Sequence, residues 1–115
     1  MAKVKTIAKT VDVLYRYNIQ YSNYDDGDTN LDLREYKVLE ETEKTWLIKW
    51  DWWRKKRIRK ESYDKFAHPT KEKALKHFIR RTYTRIRWYE YWIEECKKAV
   101  DIAIRLQEKQ SDENN

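Results

Sequence analysis

From Lys71 to about Lys109 the chain contains neither glycine nor proline. A run of that length without a breaker predicts one long helix over about 71–109. Pro69 blocks helix before it, and Thr70 is a good N-cap. At about 100° per residue, Leu75, Phe78, Ile79, Thr82, Ile86, Tyr89, Ile93, Cys96, Val100 and Ile104 fall on one stripe. Lys73, Lys76, His77, Arg80, Arg87 and Tyr91 lie opposite, with Trp88 and Trp92 at the boundary. The whole chain of 115 residues holds one glycine and one proline, so few tight turns and long regular elements are expected throughout.

The first half reads in the period of strands. "VDVLYRYNIQY", residues 11–21, alternates, with Val11, Val13, Tyr15, Tyr17, Ile19 and Tyr21 sharing a face. "SNYDDGDTN" is a loop. "LDLREYKVLE", residues 31–40, is a second strand whose apolar parity slips between Leu33 and Tyr36, which predicts a bulge or a late start. "ETEK" is a turn. "TWLIKWDWW", residues 45–53, puts Trp46, Ile48, Trp50 and Trp52 on one face and leaves Trp53 free. "RKKRIRK" forms a further strand anchored by Ile58, with Lys55, Arg57 and Arg59 facing away from it. Short connections make the sheet an antiparallel meander.

These elements define a single α+β domain, 1–115. A three- to four-stranded antiparallel meander sheet, about 9–61, packs on one long C-terminal helix. A disordered tail covers 110–115. About 38 helical residues span roughly 57 Å, whereas a seven-residue strand spans about 23 Å. The sheet therefore covers about half the helix. Toward the C-terminus the apolar set widens to Ala99, Ile102, Ala103 and Leu106, and a helix apolar on two sides calls for a partner. Either the helix breaks near residues 94–98 and folds back, or two chains pair; with no breaker present, self-association through these residues is the expectation.

The chemistry of catalysis finds little to work with. Zinc needs four ligands, and the candidates are Cys96, His68 and His77 without a paired spacing. "DDGDTN" lacks the ligand order of an EF-hand loop. Cys96 lies on the apolar stripe, where a buried thiol packs as a small hydrophobe. His77 lies on the basic side as a solvated residue. Glu90 and Glu94 sit near Arg87, Lys97 and Lys98, an ion-pair setting. One glycine excludes a glycine-rich phosphate loop. No enzyme activity, cofactor or metal is expected. The N-terminus has no apolar signal core, no apolar run reaches membrane-spanning length, and the single cysteine fits a reducing cytosol.

Charge points to binding instead. Residues 54–87 carry 14 basic and 3 acidic groups, while the flanking segments are each net acidic. Such a field draws polyanions or an acidic protein surface. The candidate surface comprises Trp53, Lys55, Arg57, Arg59, Lys73, Lys76, Arg80, Arg81, Arg85, Arg87 and Trp88. Cations beside flat rings suit phosphate contact and base stacking. Two other readings stay open: an acidic protein partner, and a plain solvated face with a charged edge strand that resists aggregation.

At "KFAHPTKEKALKHFIRR" the chain resembles small phage and prophage accessory proteins. That pattern has a hairpin with a "YKV" start (Tyr36, Lys37, Val38) and a "W-I" strand (Trp46, Ile48). A basic strand follows, then a helix start matched here by Phe66, Ala67, Pro69, Thr70, Lys71, Glu72, Ala74, Leu75 and Phe78. Lys73 departs from it, standing where a glutamate would complete a capping box with Thr70. The resemblance covers roughly residues 34–106. It implies a stoichiometric anti-defence or host-takeover inhibitor in the cytoplasm of an infected cell. Its partner would be a host or defence-system protein or protein–nucleic acid complex. A sponge for an anionic nucleotide signal and an assembly factor working through the long helix are the alternatives.

Overall fold

The computed structural model describes residues 5–21 and 29–113. It has five strands, β1 (Thr6–Ile7), β2 (Val13–Gln20), β3 (Asn30–Thr42), β4 (Thr45–Lys49) and β5 (Lys55–Arg59), followed by one helix, α1 (Lys71–Glu113). All strand pairings are antiparallel, giving an open sheet with the expected meander from β2 to β5. The two-residue β1 is an addition to the expected set. It pairs with the C-terminal end of β3, Thr6 opposite Thr42, on the same edge that β2 lines further along. Most of the acidic loop considered for calcium lies outside the described residues.

The chain divides into two compact units, Met1–Ile79 and Arg80–Asn115. The first holds the core: Leu14, Val38, Trp46, Ile48, Ile58 and Ala67, with Val11, Tyr36 and Phe66 against it. Ala74, His77 and Phe78 of α1 are buried as well. Tyr15 exchanges two backbone hydrogen bonds with His68, at 2.7 and 2.9 Å, which straps the 63–70 connection to β2. The start of α1 is capped as expected, the Lys73 N–H donating to Thr70 Oγ1 at 3.1 Å.

Register explains which residues point inward. Leu14 lies opposite Tyr36, and Tyr36 and Val38 face the core. The core side of β2 is therefore the Leu14–Arg16 parity. The alternating set Val13, Tyr15, Tyr17 and Ile19 is only half-buried. A parity slip does occur in β3, but between Val38 and Glu40 rather than between Leu33 and Tyr36. A one-residue slip exchanges the two faces of a strand. Beyond it Glu41, opposite the buried Trp46, points inward and is 1% exposed. Glu41 and Thr42 thus belong to β3, not to the turn.

Glu41 is stabilised by a full set of donors. Thr10 gives its backbone N–H at 2.7 Å and its hydroxyl at 2.8 Å, and the Lys60 ammonium donates at 2.6 Å. Burial alone pushes the carboxyl up. Lys60 and Thr10 overcome that and hold it at about 2. One carboxylate so ties the approach to β2, the middle of the sheet and the end of β5.

Four further expectations are corrected. β4 ends at Lys49, so Trp52 is not a core residue but 83% exposed, and Trp50 is exposed too. His77 is buried rather than solvated, its ring 4.7 Å from that of His68. Cys96 is exposed rather than packed. The helix also continues through residues 110–113, since nothing in that sequence breaks it. In the second unit every side chain from Tyr83 to Glu113 is exposed except the half-buried Glu95.

Candidate functional site

The turn between β4 and β5 is built by Asp51. Its Oδ1 accepts the backbone N–H groups of Trp53 and Arg54, at 3.3 and 3.2 Å. Its Oδ2 accepts Arg54 Nε at 2.8 Å. The Arg54 hydrogen bond is the chief cause holding the Asp51 carboxyl below its ordinary value. A carboxylate bonding backbone groups two and three residues ahead offers the chain a turn in place of a ladder. The alternation of residues 45–53 is interrupted there. Trp52 and Trp53 are carried to the tip, 83% and 74% exposed.

Cations and rings alternate away from this tip. The Arg54 guanidinium lies 4.7 Å from the centre of the Trp50 ring and 5.9 Å from that of Trp53. Lys56 Nζ lies 4.8 Å from Trp50 and 4.6 Å from Phe66. Arg16 covers Phe66 at 4.5 Å and donates to its carbonyl at 2.7 Å. Tyr36 meets Phe66 edge to face at 5.3 Å. The result is a strip of Trp53, Arg54, Trp50, Lys56, Phe66 and Arg16. Ring faces hold each cation in place, worth about 0.5–2 kcal/mol per pair.

Trp53 belongs to this strip, whereas Lys55, exposed at the start of β5, lies on the parity of Arg57 and Arg59. Arg57 and Arg59 do not belong. They project from the other face of β5, where Arg57 donates to Thr45 Oγ1 at 3.0 Å and pairs with Glu40 at 3.8 Å. The groove there sets Lys44, Arg57 and Arg59 against Glu40, Glu43 and Glu61, which leaves little net field. Lys73 and Lys76 are exposed on the first turns of α1, and Lys76 pairs with Glu72 at 3.5 Å. Arg80, Arg81, Arg85, Arg87 and Trp88 belong to the second unit. There Arg85 and Arg87 are exposed, and Trp88 meets Tyr91 edge to face at 6.1 Å.

Arg16, Trp50, Arg54, Lys56 and Phe66 are absent from the set chosen on sequence. The signal for Lys56 is its shared parity with Ile58. Arg16 and Phe66 are 50 residues apart, and no local pattern joins them. Chemically, the strip offers exposed ring faces and positive charge. Among the described residues no group of three His, Cys, Asp or Glu side chains could hold a metal ion. No helix among the described residues is long and apolar enough to cross a membrane. The fold is of the α+β class, an open antiparallel sheet with one long C-terminal helix. No family model, curated protein or solved structure matches the chain.

Proposed function

We propose that this chain is a non-enzymatic interaction protein that binds single-stranded nucleic acid through the Trp-tipped β4–β5 hairpin. The carrying observation is the pair of tryptophans at the tip, 83% and 74% exposed, beside ring-stacked Arg54 and Lys56. Burying those rings on unpaired bases relieves a large apolar exposure, and base stacking is worth about 1–3 kcal/mol per base. A duplex hides its base faces, so the reading specifies single strands. The resemblance to phage accessory proteins adds a role. The hairpin would occupy the nucleic-acid site of a host or defence complex in an infected cell, stoichiometrically and without turnover. Self-association through α1 belongs to the same reading.

The test is fluorescence anisotropy with short labelled single-stranded DNA and RNA, and with a duplex of the same sequence. The expected result is preference for single strands, with affinity reduced about 5- to 150-fold or more when Trp52 and Trp53 are both replaced by alanine. Absence of binding to any strand at low salt, with the fold intact by circular dichroism, overturns the proposal.

A further inference from the structure

The second unit exposes Ile86, Tyr89, Trp92, Ile93, Val100, Ile102, Ile104 and Leu106, with no apolar side chain buried from Tyr83 to Glu113. Most helical stability in proteins comes from packing an apolar face. This face has a defined spacing. Thr82, Ile86, Tyr89, Ile93, Cys96, Val100, Ala103 and Gln107 follow one another at alternating steps of four and three. That is the heptad of a coiled coil, with Ile86, Ile93, Val100 and Gln107 at a and Thr82, Tyr89, Cys96 and Ala103 at d. A shallow apolar groove runs along the same seam, lined by Tyr89, Trp92, Ile93, Cys96, Lys97 and Val100.

We propose that α1 pairs with a second copy of itself as an antiparallel coiled coil, registered so that Ile93 packs on the partner's Cys96. The inference deepens the self-association named above and does not depend on nucleic-acid contact. Size along the seam gives the direction. Its first half carries Ile86, Tyr89 and Trp92, and its second half carries Ala99, Val100 and Ala103. A parallel pair stacks large on large and then small on small, and interiors tolerate neither overpacking nor voids. The antiparallel pair sets Ile86 against the partner's Ala103, Tyr89 against the partner's Val100, and Thr82 against the partner's Gln107. At the flank it places Trp92 beside the partner's Ala99.

Charge agrees with direction and selects register. Residues 80–88 carry four arginines and no acid, whereas residues 100–113 carry four acids and two bases. Parallel pairing would gather both arginine-rich segments at one end of the pair. The flanking e positions are Tyr83, Glu90, Lys97 and Ile104. In the proposed register Glu90 meets the partner's Lys97, and Tyr83 meets the partner's Ile104. Sliding one heptad either way sets Glu90 against the partner's Glu90, or Lys97 against the partner's Lys97, and like charges are repelled. Lys97 already pairs with Glu94 at 3.4 Å on its own helix, and Glu90 of the other copy would complete a three-charge cluster. Arg80, Arg81, Arg87 and Trp88 fall at b and c, outside the seam. Ala99 and Leu106 flank it, and Ile102 lies outside.

The test uses the full chain with Cys96→Ala as background. Ile86→Cys and Ala103→Cys are introduced separately, and oxidised samples are run alone and mixed. The expected result is a dimer by light scattering and a disulfide-linked dimer only in the mixture. Cross-linking of each variant alone shows parallel pairing and overturns the proposal. A monomer over the whole soluble range, including one that instead binds lipid vesicles, also overturns it. Glu90→Lys is expected to weaken dimerisation by about tenfold or more. Adding Lys97→Glu should restore it, and failure of that restoration rejects the register. Because no nucleic acid is present, these outcomes are separable from those of the hairpin test.

Discussion

Glu41 shows how one side chain can make a sheet sensitive to acid. Its folded-state value of about 2 lies below the ordinary 4.5. The unfolded chain therefore takes up the proton first as pH falls. The stabilisation is complete above about pH 4.5 and is lost as pH drops toward 2, on the order of 3 kcal/mol in all. Urea unfolding at successive pH values should show that decline, and Glu41→Gln should flatten it while lowering stability at pH 7. Arg57 and Arg59 present the opposite case. Both are exposed, and the Arg57 pair with Glu40 lies at the surface, so they contribute little to the fold. Replacing both with Ser should change stability by less than about 1 kcal/mol. Oligonucleotide affinity should fall less than with the two tip tryptophans replaced, as read by the same anisotropy titration. At this scale the sequence was only partly legible. Ile58 is recognisable as a lone apolar anchor, and Thr70 as a cap. The inward turn of Glu41 is not, because it depends on where in β3 the bulge falls.

At the scale of elements, period and breakers carried most of the information. The glycine- and proline-free run defines α1, and alternation defines β2, β4 and β5. What alternation could not show is where a strand gives way to a side-chain-built turn. Asp51 ends the ladder, so Trp52 leaves the face that Trp46 and Ile48 keep, while Trp50 stays on it at the exposed margin, against Phe66. The helix stripe misleads for a related reason. Hydrophobicity alone selects Leu75, Phe78 and Ile79, but of these only Phe78 is buried, beside Ala74 and a His77 whose ring lies 4.7 Å from that of His68. Two predictions belong here. Asp51→Ala should disorder the hairpin and reduce oligonucleotide affinity, even though it removes a negative charge. If charge alone governs binding, affinity will rise instead. Leu14→Ala should cost about 2–5 kcal/mol in denaturant unfolding, since Leu14 is fully buried on the core parity of β2.

For the whole molecule, fold class was legible and the assembled strip was not. The strip joins residues from β2, the hairpin and the 63–70 connection, and only the sheet's register brings them together. Binding through its cations should depend on salt. The logarithm of affinity should fall linearly with the logarithm of salt concentration, with a slope near −0.7 per phosphate contact for a single strand. A slope of zero would leave stacking as the sole contribution and remove Arg54 and Lys56 from the interface. The thirteen-residue β3 carries a further consequence. It is paired with β1, β2 and β4, so breaking it dissolves most of the sheet's ladder in one event. Hydrogen exchange reads such units directly. The Val38 and Glu41 amides should exchange only through global unfolding, while those of Thr6 and Ile7 exchange through local fraying. The order of assembly follows from chain separation. β3 and β4 are joined by a short turn and should meet first, and β1, whose partners lie some 35 residues away, should close the sheet last.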